Sequence, residues 1–508
     1  MNRNVLLVCF LGILSLLKSV QAEPPKHEFR GAWITTHVNL DWPSSRHLTT
    51  DEKRDQLITI LDTLKNVGID AVFFQVRAES DAFYDSSYEP WSYRLTGEQG
   101  RAPGFDPLEF IIREAHSRGL ELHAWLNPFR AEARKGSYPL DTTHVSAARP
   151  GWILEFSGTR TTMLDPGLPD VRAYITDIVM DIADRYDVDG IHFDDYFYPY
   201  APAITDEDDV TFADHSRGFT NRDDWRRDNI KILMDDIYEK IIAADRNIKF
   251  GVSPFGIRLN ADAGTDGNQS YTLQYADPLA WLDAGSMDYL LPQIYWETGH
   301  PAAAFEKLQP WWAEEIALRD RHYYVGHAPY KMTDSNDWPS TQLGKQIRMN
   351  RAKPELIHGS SYFRTSHLTS QIKGFTDTLK TNYYAHPAII PVMPWKETSQ
   401  PPPVTRLSYH RTDPAILELT WETPPTEEGQ SEPRRYAVYR FTGEKAPNLP
   451  TKLQNPHNLL AITGQPTFTD HNAPDNTAYY YVITTLSRNN VESEESLIYI
   501  LPVKRAEL

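Results

Sequence analysis

Asp194 and Asp195 close an apolar run, Asp189-Gly190-Ile191-His192-Phe193-Asp194-Asp195-Tyr196-Phe197. Side chains alternate faces along a strand. With Ile191 and Phe193 on one face, Gly190, His192 and Asp194 share the other. Asp194 then stands at the strand exit, with Asp195 beside it. A carboxylate there serves as a nucleophile, or as the charge that stabilises an oxocarbenium-like transition state. The plainer alternative is that one Asp caps a turn and the other pairs with Arg77 or Arg130.

Such chemistry calls for a second carboxyl group as general acid. Glu297, next to Tyr295 and Trp296, is the first candidate. Asp195, Asp81 and Glu79 are its rivals. A sugar also needs hydrogen-bonding groups for its hydroxyls and flat rings for its apolar faces. His37, Gln75, Arg77, His123, Asn127, Arg130, His192, Gln293 and His327 are the polar candidates. Tyr196, Tyr295, Trp296 and Trp91 are the aromatic ones. Arg77 fits a buried ion pair equally well, and any one histidine fits a satisfied interior site. No metal is expected, because Asp194, Asp195 and His192 lack paired ligand spacing. No cofactor is expected either. The motifs G-x-x-x-x-G-K-[ST], G-x-S-x-G and H-E-x-x-H are all absent.

These residues share one position in a repeating pattern. Eight apolar runs, 29–37, 70–78, 121–130, 189–197, 249–256, 288–297, 322–331 and 356–364, alternate with amphipathic segments. Leu57, Ile58, Leu61 and Leu64 mark one helix, stopped by Gly68. Asp106-Pro107 opens another with a cap and a proline at the first turn. The strand bodies are apolar, and their exits are polar or aromatic. Eight strands alternating with helices predict an α/β fold, a (β/α)8 TIM barrel over 28–390 with its site at the C-terminal face. A proline-rich stretch, 391–403, reads as a stiff hinge. Beyond it, 404–505 alternates like antiparallel strands, with Trp421 and Tyr436-Ala437-Val438-Tyr439, and resembles a fibronectin type III sandwich.

The chain has 508 residues and a formal net charge of −18, which disfavours a nucleic-acid partner. Residues 1–22 read as an export signal. Arg3 precedes an apolar run, and Val20-Gln21-Ala22 supplies a cleavage site after Ala22. The single cysteine, Cys9, lies inside this signal, so the mature chain has no disulfide and no cysteine chemistry. No later segment is apolar enough to cross a membrane. A periplasmic or extracellular location is the expectation.

Five ordered motifs resemble the glycosyl-hydrolase-like 10 family of secreted bacterial proteins. They are Phe29-Arg30-Gly31-Ala32-Trp33, Gln75-Val76-Arg77 with Asp81-Ala82-Phe83-Tyr84, His123-Ala124-Trp125-Leu126-Asn127-Pro128, Asp189–Tyr196, and Pro292-Gln293-Ile294-Tyr295-Trp296. The resemblance spans roughly 28–390. It implies a TIM-type barrel, glycoside hydrolase activity and a bacterial cell-wall glycan as substrate. Many relatives carry a lipidation cysteine that this chain lacks. Relatives often place Pro-x-Gly where this chain has Ala78-Glu79-Ser80. The functional expectation is therefore an exported glycosidase acting on an envelope polysaccharide, peptidoglycan strands first. The alternatives are exogenous or exopolysaccharide glycans, or a barrel that binds glycan without cleaving it. The partner is a polysaccharide or oligosaccharide, and sequence leaves the oligomeric state open.

Overall fold

The computed structural model describes residues 24–244, 247–443 and 448–502. The export signal expected at 1–22 lies outside the described residues. Eight parallel strands close into a barrel: β1 (Phe29–Ile34), β2 (Ala71–Arg77), β3 (Glu121–Leu126), β4 (Gly190–Phe193), β5 (Lys249–Val252), β6 (Tyr289–Leu290), β7 (His322–His327) and β8 (Gly359–Tyr362). Each lies inside its expected run. Several are shorter than the run, because the polar exits leave the ladder to build the mouth. β6 keeps only two residues.

Local sequence explains the helices. α1 (Thr50–Val67) starts on a reciprocal Thr49–Glu52 capping box and stops at Gly68, whose φ of 97° favours glycine. α2 (Pro107–Ser117) starts on Asp106, whose carboxylate accepts from Leu108 N and Glu109 N. α3 (Pro169–Arg185) and α4 (Arg222–Ala243) cover β3 to β5 with their buried aliphatic faces. The connection from β3 to α3 carries a small three-stranded antiparallel sheet, Arg130–Glu132, Ile153–Glu155 and Thr162–Leu164.

Rings fill the barrel. Phe29, Trp33, Phe73, Trp125, Tyr289 and Tyr324 pack on its axis. Glycine is required where rings cross a strand. A Cβ on Gly190 would lie 2.3 Å from the His123 ring, and one on Gly251 would lie 2.3 Å from Tyr289. A hydrogen-bonded chain runs down the axis. Trp33 Nε1 donates to His192 Nε2 (3.2 Å), and His192 Nδ1 lies 3.1 Å from Tyr289 Oη. Tyr289 Oη lies 3.0 Å from His123 Nδ1, and His123 Nε2 lies 3.2 Å from Glu121 Oε2. An indole N–H only donates and a carboxylate only accepts. Both ends therefore fix one direction, with His192 Nε2 accepting and His123 Nε2 donating.

The proline-rich stretch is anchored rather than free. Ile390 and Met393 plug the barrel floor, and Trp395 Nε1 donates to Asp288 (2.8 Å). Beyond it lie two antiparallel sheets. One is β9 (Thr405–Asp413), β10 (Ile416–Glu422) and β13 (Thr467–Asp470). The other is β11 (Arg435–Thr442), β12 (Leu459–Thr463), β14 (Tyr479–Leu486) and β15 (Ser496–Ile500). Leu417, Leu419, Trp421, Val438, Tyr481 and Ile483 form the core between them. This sandwich docks on the barrel floor. Arg435 reaches Glu121 (2.9 Å), Asn490 Nδ2 reaches the same carboxylate (3.0 Å), and Arg434 pairs with Asp187 (2.5 Å). Among the described residues no helix is long and apolar enough to cross a membrane.

Candidate active site

At the opposite end the strand exits enclose a cavity of about 310 Å³. Asp194 forms its floor, buried and facing the axis, as its strand parity requires. Its Oδ2 accepts from Trp125 Nε1 (3.2 Å) and from Asn127 Nδ2, and its Oδ1 from Tyr196 N (3.2 Å). The Asn127 amide is aimed by a relay. Gln75 Oε1 accepts from Thr36 N (2.9 Å), His37 N (2.8 Å) and Thr35 Oγ1 (2.8 Å). Two of those donors are backbone groups, so the Gln75 oxygen must face them. Its Nε2 then donates to Asn127 Oδ1 (2.6 Å), which leaves the Asn127 nitrogen for Asp194.

Asp195 is equally buried and accepts from Gln293, whose Nε2 also donates to Ser253 O (3.0 Å). Burial pushes both carboxyls above their usual range, and the charge of Asp194 pushes Asp195 further. Among the described residues no cation pairs directly with either. Arg130 is the permanent cation among the lining residues. It stacks over the Tyr196 ring at 4.0 Å and lowers both carboxyls from a distance. Trp33, Tyr295, Tyr330 and Phe363 form one aromatic wall, and Tyr200 and Phe255 form another. Such walls stack on sugar faces while the carboxyls and amides meet hydroxyls.

The structure brings together nine of the residues singled out from sequence: His37, Gln75, Asn127, Arg130, Asp194, Asp195, Tyr196, Gln293 and Tyr295. The other nine, Glu79 among them, do not line the cavity. Glu297 sits past the rim, where the chain has already turned. Its carbonyl accepts from Phe305 N (3.2 Å), and its charge faces Lys331. Asp81 is buried behind the wall, bonded to Ser92, and pushed up by burial and the neighbouring Glu79 charge. Arg77 is a buried clamp. It pairs with Glu89 (2.8 Å) and donates to the carbonyls of Asn127 and Pro128, so it sets the backbone that carries Asn127. Its Nη2 also donates to Ser80 Oγ (2.9 Å), and Ser80 holds left-handed backbone, φ 51°.

His123 and His192 are the axial links described above. His327 is held between Gln346 Oε1 (2.8 Å) and Ser360 Oγ (3.1 Å). Trp296 packs edge-on to Phe255, and Trp91 lines a separate groove with Phe105 and Tyr186. Sequence reading at the strand exits passed over Trp33, Trp125, Tyr330 and Phe363. The first two are legible from parity alone, since Trp33 follows Phe29 and Gly31, and Trp125 follows Glu121 and His123. Tyr330 and Phe363 lie one to three residues beyond β7 and β8, outside any alternation.

A model of the glycosyl hydrolase-like 10 family matches residues 28–340. The chain belongs to this family. It is 36% identical over 483 residues to glycosyl hydrolase YngK of Bacillus subtilis, covering 92% of each chain. It is 36% identical over 368 residues to glycosyl hydrolase DigH of Escherichia coli, covering 67% of this chain and 83% of DigH. Among solved structures it resembles the glycoside hydrolase domain of PgaB (BpsB) from Bordetella bronchiseptica. The TM-score is 0.45 at 15% identity, over 71% of this chain and 99% of that one. The YngK match is long enough to include most of the C-terminal sheets. The protein is thus a glycoside hydrolase of this family, and its substrate is a carbohydrate.

Proposed function

We propose that the protein cleaves glycosidic bonds in an envelope polysaccharide, peptidoglycan glycan strands first, after export through the segment 1–22. The observation that supports this reading is the Asp194–Asp195 pair: two carboxyls, buried together, without a cation, at the floor of an aromatic-walled cavity. The charge of Asp194 acts on Asp195 in a buried site and resists joint ionisation, so the pair holds one proton between them. Asp194 carries the negative charge, because three donors converge on it. Asp195 holds the proton and gives it to the leaving glycosidic oxygen. Asp194 stabilises positive charge as it builds on the anomeric carbon.

The test is release of new reducing ends from purified peptidoglycan strands, run beside a panel of soluble polysaccharides. Release from the strands supports the reading. Release from an exopolysaccharide alone keeps the chemistry and replaces the substrate. No release from any substrate overturns it.

A further inference from the structure

His37 stands at the exit of β1. In an eight-stranded barrel β1 is three strands from β4, so His37 meets the cavity across the mouth from Asp194 and Asp195. Its position is heavily determined. Its backbone N–H donates to Gln75 Oε1 (2.8 Å), the start of the relay that ends on Asp194. The next two residues, Val38 and Asn39, both hold left-handed backbone, φ 47° and 59°. For a β-branched valine that conformation is costly, and Val38 is 43% exposed, so no core contact repays it. The turn is tied down by Asn39 Nδ2, which donates to Pro43 O (2.9 Å) and Arg94 O (3.0 Å). What this strained turn achieves is the placement of one imidazole.

Behind the ring lies Glu79, 5% exposed at its side chain, with Oε1 at 3.2 Å from His37 Nδ1. The contact falls outside ordinary hydrogen-bond geometry, a looseness common in catalytic pairs without substrate. Arg94 at 3.7 Å and Tyr138 Oη at 3.4 Å hold Glu79 in turn. With Nδ1 turned to a carboxylate, the ring's Nε2 is the nitrogen left with a lone pair for the cavity.

We propose that His37, oriented by Glu79, is the catalytic base that activates water across the cavity from Asp195, and that the enzyme therefore inverts the anomeric configuration. This rests on the glycosidase reading above. His37 Nε2 takes a proton from water, and the water oxygen bonds to the anomeric carbon. The bond from that carbon to the glycosidic oxygen breaks, and the leaving oxygen takes the Asp195 proton. Solvent then returns the proton from His37 to Asp195. The groups acting on His37 suit a base. Burial, Arg130 and Arg94 lower its pKa, and Glu79 alone opposes them. Glu79 itself is held down at about 2 and stays ionised.

The deciding measurement is proton NMR of the hemiacetal first released by the wild-type enzyme from the strands or the panel polysaccharide it cleaves. Inversion is expected. Retention leaves the glycosidase reading intact and overturns His37 as base, making Asp194 the nucleophile. No cleavage at all overturns the glycosidase reading, and this proposal with it. His37→Ala should lose roughly 10²–10⁴-fold in kcat, and azide should restore turnover, which a merely structural loss would not allow. Glu79→Gln removes the one group raising the His37 pKa, so the acidic limb of the kcat/KM profile should move to lower pH. An unmoved limb with an unrescued His37→Ala would reduce His37 to packing.

Discussion

The two ends of the barrel bury carboxylates equally well and use them in opposite ways. At the floor, Glu121 meets Lys249 (2.5 Å), Arg435 (2.9 Å) and Asn490, and Asp189 meets His116 (2.8 Å). Those partners outweigh desolvation, so both carboxyls fall below their usual range. At the mouth, Asp194 and Asp195 have the same burial but only neutral donors, and both rise. Burial alone therefore does not mark a reactive group. A missing cation marks one only where the carboxyl also lines the cavity, since Asp81 and Asp70 are buried and raised outside it.

The largest effect should come from the mouth. Asp194→Asn is nearly isosteric and removes the charge that faces the anomeric carbon. Hydrolysis should fall on the order of 10³-fold or more while the far-UV spectrum stays native. Near wild-type turnover would remove Asp194 from the chemistry.

Truncation after Gln400 probes the other end. The cut strips Arg435 and Asn490 from Glu121 and uncovers Ile389, which packs in the sandwich's own apolar cluster with Tyr439, Leu459 and Val482. None of the cavity residues is lost. Turnover per folded molecule should persist, with a drop in melting temperature larger than any single floor substitution gives. If turnover falls while the barrel stays folded, the sandwich contributes to the site.

Single charge changes should then have opposite signs at the two ends. Glu121→Gln leaves Lys249 and Arg435 buried without their anion, a loss of about 3–5 kcal/mol. Asp195→Asn removes the cost of holding a proton on a buried carboxyl beside Asp194 and keeps an oxygen for Gln293, so it should melt at or above wild type. The pH dependence follows the same signs. Glu121 and Asp189 have depressed pKa values, so their stabilisation is complete above the ordinary carboxylate range and is lost as pH falls through it and below. The mouth pair has raised pKa values, so its cost is largest at high pH and vanishes as the pair protonates on acidification. The melting advantage of Asp195→Asn should accordingly shrink toward pH 4. Constant ΔTm across that range would mean that Asp195 titrates no differently in the folded and unfolded chain.

Much of this was legible in the sequence. Strand parity placed Asp194 on the axis, and the polar exits found Gln75, Asn127, Arg130 and Gln293. The sequence could not show which buried charges are paired, because partners arrive from distant positions. Arg77 finds Glu89 in the following loop, and Glu121 finds Arg435 from the C-terminal sheets. His123 and His192 have the inward parity of site residues, yet they sit one and two layers too deep, where Tyr289 joins them. The proline-rich stretch reads as a stiff hinge because composition records stiffness and not the Ile390 and Met393 contacts that plug the barrel floor.

The smallest effect should come from Glu297. In sequence it had the profile of a general acid, with aromatic neighbours at a strand exit. A general acid must reach the leaving oxygen within hydrogen-bond distance. Glu297 is instead part-exposed beyond the rim, and its charge faces Lys331 and not the carboxyl pair. Glu297→Gln should therefore change kcat/KM by no more than about 3-fold, within the range of a surface substitution, and leave the alkaline limb in place. Natural glycan and an activated aryl glycoside should respond alike. A selective collapse on the natural glycan, with the alkaline limb removed, would mean that the segment after β6 folds inward over bound substrate and delivers Glu297 to the leaving oxygen. The acid would then come from β6, and Asp195 would be left as a second charge beside Asp194.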